Sequence, residues 1–163
     1  MLWKHKINNF PLLHFYTFFE FTVLILFFSH LKPGRFSNKQ MVFTTLLFLV
    51  ICLIDAFVTG SIYTFNTYSR TTESLVIILL CLSWFINTTP LQTRNAKKSP
   101  PGSDHMVRGF LIYFSGALVF FAFGELIDHM RFSWRLNLWS IHSFLVFQLH
   151  IFILIGLWKA QIR

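Results

Sequence analysis

The sequence predicts an all-α integral membrane protein, a single membrane domain over residues 1–163 with about five transmembrane helices. Three observations carry that class. Five apolar runs are each long enough to cross a hydrocarbon core about 30 Å thick, which takes roughly 20 helical residues. Hydrophobic residues make up 55% of the chain and charged ones only 12%, with 22 Phe and 5 Trp, far more apolar than a soluble domain. The Lys and Arg sit in the segments between the runs, so the net charge of +8 reads as topology signals and contacts to anionic headgroups, with no nucleic-acid partner.

The first run, Phe10 to Leu31, carries Glu20 near its middle. An ionisable group at that depth costs at least about 2.5 kcal/mol on insertion scales, so it turns toward a bundle interior, a partner or a wet cavity. On a helical projection Leu13, Tyr16, Thr17, Leu24 and Phe27 share the Glu20 side, with His14 further round. Lys4, His5 and Lys6 precede the run as in a signal peptide, but the run is too long for one, contains Glu20 and lacks a small-x-small cleavage pattern. Lys32-Pro33-Gly34-Arg35 stops the helix.

The second run, residues 41–63, carries Asp55 on a stripe with Thr44, Thr45, Cys52 and Thr59. Residues 64–72 read as a connector, and Glu73 opens a third run over 74–91, along which Ile77, Leu80, Trp84 and Asn87 align with it. Arg70 and Glu73 are spaced to pair on one face if that turn is already wound. Asn87-Thr88-Thr89 matches a glycosylation sequon but lies at a membrane boundary and is discounted. Gln92 to Val107, with Arg94, Lys97, Lys98, Pro100, Pro101 and Gly102, is the one substantial linker. The fourth run, 109–128, holds the small residues Ser115, Gly116, Ala117, Ala122 and Gly124, which permit close helix approach, and ends in Glu125, Asp128 and His129. The fifth, 136–159, sets Trp139, His142, Ser143, Val146, His150 and Ile153 on one side. Cys52 and Cys81 lie inside apolar runs and read as small fillers.

Five spans put the termini on opposite sides. Nine cations (Lys32, Arg35, Lys39, Arg94, Lys97, Lys98, Arg108, Lys159, Arg163) fall on one side and five (Lys4, Lys6, Arg70, Arg131, Arg135) on the other, which predicts an outside N-terminus and a cytoplasmic C-terminus. His14, Asp55, Glu73, Glu125, Asp128 and His142 then share the outer depth, with Glu20 and His150 beneath them. The candidate ligand-binding set is therefore His14, Tyr16, Glu20, Asp55, Glu73, Glu125, His142 and His150, around a polar pocket open to the outer side. Against it stand plain interfacial hydration of Glu73, Glu125 and Asp128, and a purely structural hydrogen bond from Glu20 to a neighbouring helix.

Chemistry is less specific. No His-Glu-x-x-His or paired-Cys pattern marks a metal, so no cofactor is favoured. Haem between His14 and His142 is an alternative, because imidazoles from separate helices are a familiar axial pair. A proton relay through Glu20, Asp55 and His150 is chemically reasonable. Ser143 beside His142 on a helix is no nucleophile elbow, and no catalytic residue is assigned.

Leu13-His14-Phe15-Tyr16-Thr17-Phe18-Phe19-Glu20-Phe21, Asn66-Thr67-Tyr68-Ser69-Arg70-Thr71-Thr72-Glu73-Ser74-Leu75 and Phe110-Leu111-Ile112-Tyr113-Phe114-Ser115-Gly116 together resemble uncharacterised small multi-pass inner-membrane proteins of the Bacteroidota, over most of the chain. The resemblance implies a bacterial inner membrane and supplies no activity. Many members of that group have further hydrophobic helices upstream of the equivalent of Phe10, so it also implies a short form or a late start.

The function expected is a small-ligand-binding or sensory/accessory membrane module. A sensory role needs a membrane protein partner or a second copy, because the loops are too short to hold a kinase or nucleotide domain. A small-solute transporter or proton-coupled carrier is the alternative, and a haem- or metal-binding redox protein the third reading.

Overall fold

The computed structural model describes residues 9–31, 37–59, 61–88 and 100–162, without the side chains of Thr59, Glu125 and Asp128. Lys4, Lys6, Lys32, Arg35, Arg94, Lys97, Lys98 and Arg163 of the charge count, and Thr89 of the sequon, lie outside the described residues.

Helix α1 spans Phe10–Leu31. Helix α2 spans Asn38–Ile54 and continues as a π-helical segment, Asp55–Thr59. It starts ahead of the predicted Met41 because Ser37 and Gln40 form a capping box. The Ser37 hydroxyl accepts from the Gln40 N–H at 3.3 Å, and Gln40 Oε1 accepts from the Ser37 N–H at 2.8 Å. Helix α3 spans Thr67–Thr88 and α4 Ser103–Ala122. A short α5, Gly124–Asp128, leads to α6, Phe132–Gln161. Five of these helices are long and apolar enough to cross a membrane, and no strand occurs among the described residues. The chain is thus a multi-pass helical bundle for a lipid bilayer. Its exposed surface agrees, since Phe15, Phe19, Leu79, Phe144 and Leu154 point outward, where lipid tolerates them as well as a core would.

Helix α4 is the hub, packed most extensively against α6 and α3. Close approach to α6 rests on glycine at a seven-residue spacing. A Cβ on Gly109 would stand 2.6 Å from Phe152 Cβ, and one on Gly116 2.8 Å from Leu145 Cδ1. Leu24 and Phe28 of α1, Ile77, Cys81 and Trp84 of α3, Val107 through Phe121 of α4 and Leu149 of α6 form one core. A smaller one joins α1 to α2, where the Phe21 and Phe48 rings stack with centroids 3.8 Å apart.

Helices α1 and α3 run parallel, because their contacts advance together: His14 meets Thr64, Thr17 meets Asn66, and Glu20 meets Arg70. Glu20, central in α1, is thereby level with the first turns of α3. The bundle has two unlike ends. The one where α1 and α3 begin and α4 ends is polar. Toward the other, Phe28, Ile77, Trp84, Val107 and Phe114 are each at most 1% exposed and fill the interior.

Candidate functional site

The site is built on the first two turns of α3. Thr67 to Glu73 is a polar stretch, and by composition it belongs in a loop, yet it is helical and buries Ser69, Arg70 and Glu73. The cause lies in α2. Asp55 Oδ2 accepts from the backbone N–H of Ser69 at 2.8 Å and from its hydroxyl at 2.7 Å. The first N–H groups of a helix have no partner within it, and a carboxylate there both satisfies one and opposes the helix dipole. A residue from another helix therefore caps α3, and α3 begins at Thr67, well before the predicted Ser74. The predicted pairing of Arg70 with Glu73 follows from that early start.

Arg70, 5% exposed, projects from this turn into a cluster of charges. Its Nη1 donates to Glu73 Oε2 at 3.0 Å and to Glu20 Oε2 across the helix interface. The guanidinium carbon lies 5.0 Å from the centre of the Tyr16 ring and 5.1 Å from that of Phe121, so the cation is held between two aromatic rings. A lone Arg or Asp at a helix centre costs about 2.5–3.5 kcal/mol on insertion scales, and the cluster offsets that cost by pairing its charges. Above it Asn66 Nδ2 donates to Thr17 Oγ1 at 2.6 Å, and His14 Nε2 sits 3.3 Å from the Thr64 carbonyl oxygen. A polar seam thus runs along α1 and α3 from Thr64 to Glu73.

Beside the seam is a cavity of about 380 Å³, lined by Leu13, Tyr16, Phe65, Arg70, Trp139 and His142 among others. Its walls are mainly apolar. His142 enters from α6, with Nε2 3.5 Å from Tyr113 Oη and its ring edge-on to Phe121 and Trp139 at 5.5 Å.

Of the eight predicted site residues, Tyr16 and His142 line this cavity, and Glu20 and Glu73 lie behind it on Arg70. His14 is buried at the top of the seam, and Asp55 is spent on Ser69. His150 is elsewhere, because it is exposed on α6 and its Nδ1 lies 2.7 Å from the Val146 carbonyl oxygen of its own helix. The side chain of Glu125 lies outside the described residues. The relay drawn through Glu20, Asp55 and His150 is therefore not assembled. Neither is a His14–His142 axial pair, since His14 faces Thr64 while His142 faces the cavity. Among the described residues no group of three or more His, Cys, Asp or Glu is placed to hold a metal ion.

Comparison with known protein families, with curated proteins and with solved structures returned no match. The geometry alone speaks for this chain. Its central residue, Arg70, reads in the sequence as a topology charge and as a partner for Glu73, but not as a site residue. The usable signal was its spacing to Glu73 together with an unpaired acid, Glu20, in a neighbouring span.

Proposed function

We propose that the protein is an accessory module of a bacterial inner membrane that binds one small amphipathic molecule in the cavity between α1, α3, α4 and α6. The observation that carries this reading is the pairing of apolar walls with convergent polar groups. Phe65, Phe121 and Trp139 suit an apolar body, while Tyr16, Arg70 and His142 converge on a hydrogen-bonding head. The cluster also speaks to the kind of head. One guanidinium already faces two carboxylates, so it offers no net positive charge, and a neutral acceptor such as a carbonyl or ether oxygen fits better than an anion.

The positive-inside count supports an outside N-terminus, with the cavity at the outer surface and the C-terminus in the cytoplasm. The carrier reading finds less support, because the packed half around Phe28, Ile77 and Trp84 would have to open for a solute to cross. A module that signals or assembles acts through a membrane protein partner or a second copy.

Native mass spectrometry of the detergent-purified protein tests the reading. The expected spectrum shows a retained non-protein mass that disappears when Leu13→Trp fills the cavity and weakens in His142→Ala. A bare chain, or an adduct indifferent to both substitutions, overturns it.

A further inference from the structure

We propose that Arg70, Glu20 and Glu73 together hold one exchangeable proton, loaded and released from the cavity end of the bundle. Three observations converge on it, and none depends on what the cavity binds.

The first is the charge count. Both Oε2 atoms sit on the same guanidinium nitrogen, so two carboxylates share one cation and an uncompensated negative charge is left in the interior. Two carboxylates crowded into one site of low polarity are characteristically satisfied by a single shared proton. The second is the state of the remaining polar atoms. Glu73 is 0% exposed and its Oε1 has no protein hydrogen-bond partner, nor has Nε of Arg70. A buried acceptor and a buried donor without partners are costly in a native interior and point to a species that the protein's own groups do not supply. The third is access. Arg70 lines the cavity, and Glu20 is the more accessible acid, with 16% of its side chain exposed. Behind the cluster Phe21, Ile25 and Ile77 are fully buried. The accessible side of the cluster is therefore that of Glu20.

A proton fits better than a metal ion. Hard cations take several oxygens, six or more for calcium and magnesium, whereas the free carboxylate oxygens here are few and one face of the cluster is closed by Arg70 itself. The chemistry is a single equilibrium: a carboxylate oxygen takes a proton from water at the polar end of the bundle and returns it by the same bond. The titratable groups facing the cluster are Tyr16 on α1, Cys52 and Asp55 on α2, Tyr113 on α4 and His142 on α6.

Infrared difference spectroscopy of the protein in lipid nanodiscs, recorded as a function of pH, reads the proton directly as a protonated-carboxyl stretch. The wild type is expected to show a band that is lost in Glu73→Gln and in Glu20→Gln, since either change leaves one carboxylate for one Arg, and retained in Asp104→Asn, whose carboxylate pairs with Arg108 near the opposite end of α4. Replacing sodium by choline should leave the band unchanged. If Glu73→Gln fails to fold, the partly exposed Glu20→Gln decides alone. Absence of the band, its survival in the Gln variants that fold, or its abolition by sodium overturns the proposal.

Discussion

Asp55 accepts two hydrogen bonds from Ser69, at 2.8 Å from the backbone N–H and 2.7 Å from the hydroxyl, and so caps a helix to which it does not belong. Loss of a capping side chain costs about 0.5–2 kcal/mol. Asp55→Ala is expected to fall at the upper end, because it also leaves the Ser69 hydroxyl without its acceptor. Asp55→Asn, which keeps an acceptor oxygen, should cost less. Equilibrium unfolding in detergent measures both. Equal losses from the two substitutions would argue that charge and not hydrogen bonding carries the contact.

Removing Arg70 should do more damage than removing its partners. Truncating one member of a buried ion cluster costs about 3–5 kcal/mol, because the remaining charges are left without compensation. Arg70→Leu is therefore expected to be severely destabilised. The triple change Arg70→Leu, Glu20→Gln, Glu73→Gln should recover most of that loss, as neutral replacements of buried charged networks often do. Thermal unfolding of Arg70→Leu, Glu20→Gln, Glu73→Gln and the triple variant checks this. A triple variant as unstable as Arg70→Leu would show that the guanidinium acts through packing against Tyr16 and Phe121 alone.

The contact between α4 and α6 gives a steric prediction. Gly109→Leu and Gly116→Leu drive side chains into Phe152 and Leu145, and overpacking of this kind costs about 1–3 kcal/mol. Ser115→Leu, on the exposed side of the same helix, is expected to be neutral. Thermal unfolding of the three variants side by side is the measurement.

The bundle was legible in the sequence because spanning length and hydropathy are properties of single segments. Helix starts were less so. The α3 start depends on Asp55, and no local signal in Thr67–Glu73 announces a cap that arrives from another helix. The face of α6 was legible in part. Trp139 and His142 line the cavity and Val146 and Ile153 pack against the core, while Ser143 and His150 of the same side are exposed and Leu149 and Gly156 are buried beside it. A helix that is apolar all round carries no stripe to orient it, so its few polar residues drew the face toward themselves. The charged cluster was half visible. Glu20 stood out as an acid in an apolar run and Arg70 as a partner for Glu73, but no local signal joins Arg70 to Glu20, 50 residues away.

Orientation has its own test. Ser133→Cys, exposed at the start of α6, is expected to react with an impermeant maleimide from outside intact cells, and Pro101→Cys, exposed before α4, only after permeabilisation. The native Cys52 and Cys81 are buried and give little background. The reverse pattern would invert the topology.

Glu20 and its counter-ion are separated by 50 residues of chain. At a synthesis rate of about 5–20 residues per second, the acid emerges roughly 3–10 s before Arg70 exists. During that interval α1 carries an acid that costs about 2.5 kcal/mol or more at mid-membrane and has no counter-ion. The seam between α1 and α3 is therefore a feature that the first helix cannot complete alone, and no chain shorter than 70 residues can close it.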